Sequence, residues 1–140
     1  MGLLMTDCIF CDIINGKKPG IRIFEDEKTI AILDIYPIAT GHTLVIPKNH
    51  SKNLFDIHPD DMSAVGISVS RVAKVLKQVL HCDGINIFQG NERAALQEIF
   101  HTHFHVLPRW FNDNIVFGAQ RERLKEDSTL VSKLKQGFLR

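Results

Sequence analysis

The chain has 140 residues, of which 44% are hydrophobic and 24% are charged. This length and composition are typical of one folded domain, and they exclude a disordered or low-complexity polymer. Seventeen basic and sixteen acidic residues leave a formal net charge of +1, which predicts no extended basic surface for a nucleic-acid polymer or an anionic membrane.

The three cysteines are unevenly placed, since Cys8 and Cys11 are close together and Cys82 stands alone. This arrangement does not suit a disulfide framework and favours a reducing compartment. No apolar run approaches the roughly 18 residues of a membrane span, and the N-terminus does not resemble a secretory signal. We therefore expect a soluble cytoplasmic protein with no membrane partner.

The first half of the chain predicts a short helix followed by three strands. Residues 9–15 form a helical turn that ends at Asn15-Gly16. Short runs rich in β-branched residues at 21–25 and 29–34 flank an acidic turn, which indicates a hairpin, and residues 43–47 read as a third strand.

A long helix begins at Pro59, because proline is well tolerated in the first turn and the carboxylates of Asp60 and Asp61 favour a helix N-terminus. Apolar residues then recur at alternating spacings of three and four, which places them on one helix face. They are Met62, Val65, Val69, Val72, Leu76 and Val79.

The second half completes the sheet, with strands predicted at 85–89 and 103–107 and a weaker, charged helix at 120–136. Strands in hairpin-like succession beside one long helix predict an α+β fold with an antiparallel sheet of about five strands and a C-terminal helical segment. We expect one domain over residues 1–140, with a core at 8–108 and a C-terminal extension at 109–140.

Three of the seven histidines, His101, His103 and His105, occupy alternate positions of the last predicted strand. Side chains of a strand alternate between its faces, so these imidazoles should share one face. Such a ladder would either bind a transition metal or supply a nucleophile and acid–base groups. The alternative is an edge strand whose polar side faces solvent.

Cys8 and Cys11 form a pair separated by two residues. In a reducing compartment this pair is a metal half-site or a redox motif. The alternative is that the two cysteines are small core residues beside Phe10. Zinc would require two further ligands, for which His50 and an outer histidine of the ladder are candidates.

At four places the chain resembles the histidine triad (HIT) hydrolases, specifically the Hint-like branch with an N-terminal Cys-x-x-Cys zinc site. The matching segments are the cysteine pair and residues 32–35, 41–50 and 91–108, the last with its H-x-H-x-H centre. Together they span residues 8 to 108.

The resemblance implies a nucleotidyl hydrolase or transferase that cleaves the α-phosphate P–N or P–O bond of adenylated or other purine-nucleotide substrates. A nucleoside phosphoramidate or a dinucleoside polyphosphate would be the substrate, and a nucleotidyl-histidine the covalent intermediate. By resemblance His103 is the nucleophile, His105 and His42 lie beside the phosphate, and His101 completes the catalytic set.

Substrate-binding residues also follow from the resemblance. Asp34 would bind the ribose hydroxyls, and Ile35 and neighbouring apolar residues would enclose the base. The remaining residues expected at the substrate are Asn91, Gln97, Glu98 and Ile99. Leu96 departs from the family pattern, because glycine is usual there and no glycine closely follows Asn91; the loop before the triad should therefore be reshaped.

The zinc-carrying members of the superfamily imply a closed structural Zn²⁺ site formed by Cys8, Cys11, His50 and His101. The resemblance also implies a homodimer and no organic cofactor. One alternative function is a nucleotide-binding, zinc-stabilised scaffold with little turnover, motivated by Leu96. Another is a catalytic metal held by the histidine ladder.

Overall fold

The computed structural model describes residues 7–116, 128–137 and 139. Within these residues the helices and strands form an α+β fold, which confirms the predicted class. In chain order they are α1 (Ile9–Ile14), β1 (Arg22–Glu25), β2 (Thr29–Leu33), β3 (Thr43–Pro47), α2 (Pro59–Leu80), β4 (Gly84–Phe88), β5 (Phe104–Arg109) and α3 (Ser128–Gly137).

The described strands form one antiparallel sheet of five, in the order β1-β2-β3-β5-β4. Strand β5 is therefore an interior strand, and it pairs His105 with Leu44 of β3 on one side and with Phe88 of β4 on the other. This register places one histidine of the triad inside the sheet, between two paired strands.

Short-range hydrogen bonds explain where the first elements begin and turn. The Cys8 sulfur accepts the backbone N–H of Cys11 at 3.2 Å and so caps α1. In the β1–β2 turn, the Asp26 carboxylate accepts the N–H groups of Lys28 and Thr29 at 3.0 and 2.9 Å. Aspartate favours turns because its side chain can bind nearby backbone amides in this way.

Alternating side chains bury both faces of the sheet. One face packs Ile30, Ile32, Leu44 and Ile46 against Phe10 and Ile13 of α1. The other packs Ala31, Val45 and Val106 against Val65, Val72 and Leu76 of α2. Because the chain covers the sheet from both sides, histidines that share the face of Leu44 lie under α1.

The buried stripe of α2 agrees with the predicted periodicity except at its end. Val65 is fully buried, whereas Val79, predicted on the same helix face, is 65% exposed. Leu80 packs against the α2 core instead, because it lies one full turn beyond the buried Leu76. The ring of His58 accepts the Asp60 N–H at 3.1 Å and caps the helix start.

The strand containing the triad begins one residue later than predicted. β5 starts at Phe104, so His101 and His103 lie in the irregular segment before it and His105 lies within it. The predicted C-terminal helix is present at Ser128–Gly137, and residues 120–127 of that prediction lie outside the described residues. Across the described ranges, no helix has the length and apolarity needed to cross a membrane.

Candidate functional site

A cavity of about 550 Å³ opens on the face of the sheet that α1 covers. One end of its lining is polar and contains three imidazoles and a carboxylate; the rest is mostly apolar. The residues at this end are Asp34, His42, His103 and His105, and Glu98 also lines the cavity. Such a mixture of apolar walls and a few convergent polar groups is typical of a small-molecule site.

The hydrogen bonding of His103 assigns its ring nitrogens. Nδ1 lies 2.7 Å from the backbone oxygen of His101, and since a carbonyl only accepts, Nδ1 carries the proton. Burial lowers the pKa of His103, so the ring is neutral near pH 7 and its Nε2 keeps a lone pair. Phe10 contacts the ring edge-on, with centroids 5.0 Å apart.

His105 and His42 form a hydrogen-bonded pair in the same cavity. His42 Nε2 and His105 Nδ1 are 2.9 Å apart, and His42 is only 2% exposed. Burial and the neighbouring histidines lower the pKa of His105 to about 4, and burial also lowers that of His42. Phe88 stacks on the His105 ring at 4.3 Å with an interplanar angle of 7°.

Asp34 follows β2 directly and reaches the polar end of the cavity. One carboxylate oxygen accepts the Tyr36 N–H at 2.8 Å, and the other lies 3.6 Å from His42 Nε2. Ile35 lines the cavity and is 69% exposed, so it forms part of the rim. The predicted residues Glu98 and Ile99 also line the cavity.

Two predicted substrate residues, Asn91 and Gln97, do not line the cavity. Gln97 is 5% exposed, and its amide donates to the backbone oxygens of Lys52 and Ile99 at 2.7 and 3.0 Å. Asn91 accepts the Leu54 N–H at 2.9 Å. The structure thus assigns these side chains to holding the loop together, since their polar atoms are used inside it.

The backbone of this loop adopts conformations that glycine normally occupies. Leu96 has φ 67° and ψ 25°, and Glu92 has φ 76° and ψ 163°. Leu96 lines the cavity and is 87% exposed. Leu96 therefore has the left-handed backbone that glycine favours, and its large apolar side chain is exposed at the cavity.

The ring of His101 lies outside the cavity and meets the cysteine pair. Its Nδ1 is 3.3 Å from the Cys8 sulfur, 3.5 Å from the Cys11 sulfur and 3.1 Å from His50 Nδ1. His50 Nδ1 also lies 3.4 Å from the Cys11 sulfur. The sequence prediction grouped these same residues as zinc ligands.

These distances fit a tetrahedral zinc ion. With Zn–S near 2.3 Å and Zn–N near 2.0 Å, tetrahedral ligand atoms should be separated by about 3.3 Å for two nitrogens, about 3.5 Å for nitrogen and sulfur and about 3.8 Å for two sulfurs. His101 Nε2 donates to the Pro47 oxygen at 2.8 Å, which leaves Nδ1 as the ligand atom, and burial lowers the pKa of His101 to about 4. Burial and Cys8 raise the pKa of Cys11 to about 12, a shift that a bound dication would reverse.

Two aromatic contacts were absent from the sequence prediction. Phe88 stacks on His105, and Phe10 contacts both His101 and His103. Phe10 was noted only as a neighbour of the cysteines. The alternation along β4 could have placed Phe88 on one sheet face, but the sequence carries no signal for its pairing with His105.

An α+β fold with three imidazoles and a carboxylate in one cavity defines a class of small-molecule-binding proteins that can carry out histidine chemistry. Residues 15–112 match the model of the HIT domain. The chain therefore belongs to the HIT family.

Several relatives are similar over almost the whole chain. An uncharacterized HIT-like protein of Borreliella burgdorferi is 41% identical over 91% of this chain and 98% of its own. The adenosine 5'-monophosphoramidase HNT1 of Candida albicans is 42% identical over 93% and 97%. The adenylylsulfatase HINT3 of Arabidopsis thaliana is 34% identical over 95% and 70%.

Solved structures show the same fold. A HIT family protein from Bacillus anthracis superposes with a TM-score of 0.86 at 33% identity, covering 96% of both chains. A zinc-bound histidine triad family protein from Mycobacterium smegmatis superposes with a TM-score of 0.76 at 42% identity, covering 84% of this chain and 85% of its own.

Proposed function

We propose that this protein hydrolyses or transfers the nucleotidyl group of adenylated or other purine-nucleotide substrates, through a covalent intermediate on His103. The observation that carries the proposal is the Nδ1–H bond from His103 to the His101 oxygen at 2.7 Å. It leaves the Nε2 lone pair for attack in a cavity shared with His42, His105 and Asp34.

In the first proposed step, Nε2 of His103 forms a bond to the α-phosphorus while the bond from phosphorus to the leaving nitrogen or oxygen breaks. The electron pair of that bond goes to the leaving atom, which takes up a proton from solvent. Water then attacks phosphorus, the P–Nε2 bond breaks with its electron pair returning to the ring, and the water proton is released. Two easier displacements replace one difficult step.

The other cavity residues would bind the charge and the nucleoside. His105 supplies a ring N–H for the nonbridging phosphate oxygens, whose negative charge grows in the transition state, and His42 lies beside the phosphate and hydrogen-bonds to His105. The Asp34 carboxylate would accept hydrogen bonds from the ribose hydroxyls. Ile35 and Ile99 are apolar residues of the cavity wall and would pack against the purine.

The leaving group can be an amine or an oxygen acid. The names of the two relatives, a monophosphoramidase and an adenylylsulfatase, support P–N and P–O cleavage respectively. Glu98 lines the cavity, and its carboxylate would favour a cationic amine over an anion. We therefore propose a nucleoside phosphoramidate as the preferred class, with a dinucleoside polyphosphate as the second.

We further propose that Cys8, Cys11, His50 and His101 bind a structural Zn²⁺ ion. When bound, zinc would hold the N-terminal helix to the triad segment; no step of the reaction passes through it. A homodimer is also proposed, on the family resemblance. The three free cysteines support a reducing, cytoplasmic location.

The function is tested by mixing the full chain with adenosine 5'-phosphoramidate, quenching rapidly and measuring intact mass. We expect an AMP adduct on His103 and a loss of turnover of at least about 10³-fold in His103→Gln. The matched control is His58→Gln, since His58 lies on the surface at the start of α2. Unchanged turnover in His103→Gln would contradict the mechanism. Tight AMP binding without turnover would instead favour a nucleotide-binding scaffold.

A further inference from the structure

Two groups of side chains in the described part of the chain have the spacing of metal ligands. The first contains Cys8, Cys11, His50 and His101; the second contains Asp34, His42 and His105 inside the cavity. In each group all ligand atoms lie within 4.8 Å of one another. Spacing alone therefore does not distinguish the two groups, whereas the positions of the ring protons do.

His101 has the hydrogen bonding of a metal-binding histidine. Such residues usually donate the proton of one ring nitrogen to a carbonyl or carboxylate, which directs the lone pair of the other nitrogen at the metal. His101 donates from Nε2 to the Pro47 oxygen at 2.8 Å, and its Nδ1 faces Cys8.

His42 has the opposite arrangement. The backbone N–H of Ile38 lies 3.1 Å from His42 Nδ1, and a backbone amide can only donate. Nδ1 of His42 must therefore carry the lone pair, and in the neutral ring the proton is on Nε2. That nitrogen faces His105 Nδ1 at 2.9 Å, so Nδ1 of His105 accepts and His105 carries its own proton on Nε2.

The loop between β2 and β3 holds the Ile38 amide in this position. The Asp34 N–H donates to the His42 backbone oxygen at 2.9 Å and closes the loop. Inside it, the His42 N–H donates to the Ala39 oxygen at 3.1 Å, and Gly41 has φ 85°, which only glycine adopts easily. With His42 almost completely buried, water is not available to replace the Ile38 donor.

We propose that the backbone N–H of Ile38 is a positioning group that fixes the protons of the His42–His105 pair. The pair then carries its protons on both Nε2 atoms, presents His105 as a hydrogen-bond donor and does not bind a transition metal. A metal on His42 Nε2 would require a proton on Nδ1, which would face the Ile38 N–H. The use of the His105 N–H to bind phosphate rests on the proposed function. The position of the ring protons does not depend on that function.

The first experiment locates the ring protons by nitrogen NMR of the full chain labelled at histidine. The signals of His42 and His105 are assigned by their disappearance in His42→Gln and His105→Gln. We expect both rings to be neutral at pH 7, with a lone-pair shift at Nδ1 and an N–H shift at Nε2. A proton on His42 Nδ1, or exchange between the two forms, would overturn the inference whether or not the protein is a hydrolase.

A second experiment removes the donor. Ile38→Pro deletes the N–H, and Ile38→Ala is the matched control because it keeps the N–H and removes the side chain. In Ile38→Pro we expect the His42 proton to be shared between both ring nitrogens, whereas Ile38→Ala should keep the wild-type signals. If Ile38→Pro does not fold, the backbone ester formed by the α-hydroxy analogue of isoleucine at this position removes the same N–H. A wild-type pattern in either donor-free chain would overturn the role of Ile38.

Zinc titration gives an independent readout. With excess Zn²⁺, the His42 and His105 signals of the wild type should stay in place, and in the donor-free chains they should shift on binding. Zinc-induced shifts of these two residues in the wild type would overturn the inference. Failure of the cysteine cluster to bind zinc would instead contradict the structural zinc site, which is a separate proposal.

Discussion

The backbone oxygen of His101 accepts the Nδ1–H of His103 at 2.7 Å, while the ring of the same His101 lies against the Cys8 sulfur at 3.3 Å. One residue thus connects the candidate metal cluster to the candidate nucleophile through two of its groups. Any change that moves the His101 backbone would disturb the ring that must attack phosphorus, since a misplacement of about 1 Å can cost about 10²-fold in rate.

Removing the metal cluster should lower both stability and turnover. We expect one Zn²⁺ per chain in the wild type and none in Cys8→Ser. At free zinc about 1,000-fold above its dissociation constant, the ion contributes about 4 kcal/mol to the free energy of unfolding. Metal analysis and urea unfolding measure these effects. Cys82→Ser is the control. Because Cys82 is not in the cluster, this variant should retain the metal. Full zinc content in Cys8→Ser would contradict the assignment.

Turnover should persist in mildly acidic solution. Neutral His103 is the attacking form, and burial lowers its pKa and those of His42 and His105 below the ordinary 6.5. Because the neutral form exists above the pKa, a lowered pKa moves the loss of activity to lower pH. We therefore expect the acid limb of kcat/KM below pH 6.5, measured between about pH 4 and 8. An acid limb above 6.5 would contradict the burial argument.

The same shifts predict acid destabilisation. Unfolded histidine takes up a proton near pH 6.5, whereas folded His105 does so near 4. Between these values the unfolded state binds more protons. The contribution of His105 to the free energy of unfolding is therefore fully present above pH 6.5 and falls as pH is lowered toward 4. Urea unfolding at several pH values measures the slope, which should be smaller in His105→Gln. An equal slope in that variant would contradict the assignment to His105.

Local patterns predicted the fold better than they predicted side-chain contacts. Strand β3 was predicted at its observed bounds, because β-branched runs between turn residues carry a short-range signal. The stacking of Phe88 on His105 depends on how β4 pairs with β5 across residues 89–103, and no local pattern encodes that register.

Irregular loops explain why some side-chain positions at the site could not be predicted. The family resemblance placed Gln97 at the substrate, but a loop has no fixed side-chain period, and the structure turns this amide inward. The residues alone proposed a zinc site with an outer histidine of the ladder as a ligand, and only the resemblance selected His101, because residue 8 and residue 101 are distant in the chain and meet only through the fold.

Gln97→Ala should mainly affect stability. The substitution removes four contacts of a buried amide, including acceptance of the Glu92 N–H at 2.8 Å and of the Asn53 amide at 3.1 Å. Buried groups left without partners cost about 1 to 3 kcal/mol each, and the Asn53 amide keeps its bond to the Glu92 carboxylate, so we expect unfolding to become easier by at least about 2 kcal/mol. Gln89→Ala is the matched control, since Gln89 pairs with Asn91 at the start of the same loop. A change in KM with unchanged stability would instead indicate that Gln97 contacts substrate.

Leu96→Gly should stabilise the protein, although it deletes a whole side chain. Leu96 has φ 67°, and the left-handed conformation costs a residue with a Cβ atom roughly 1 to 2 kcal/mol. Its side chain is 87% exposed, so little packing is lost, whereas the greater freedom of glycine in the unfolded chain costs about 0.4 to 1 kcal/mol. The net expectation is a gain of about 0.5 to 1 kcal/mol in urea unfolding.

Leu96→Ala separates the backbone from the side chain. Alanine keeps the Cβ atom and therefore the backbone strain, so its stability should stay within about 0.5 kcal/mol of the wild type. If both variants gain equally, removal of the exposed apolar side chain is the cause and the backbone explanation is wrong. If neither variant gains stability, the left-handed backbone at Leu96 carries no strain and the prediction is wrong. The contrast between glycine and alanine therefore tests the strain at this position directly.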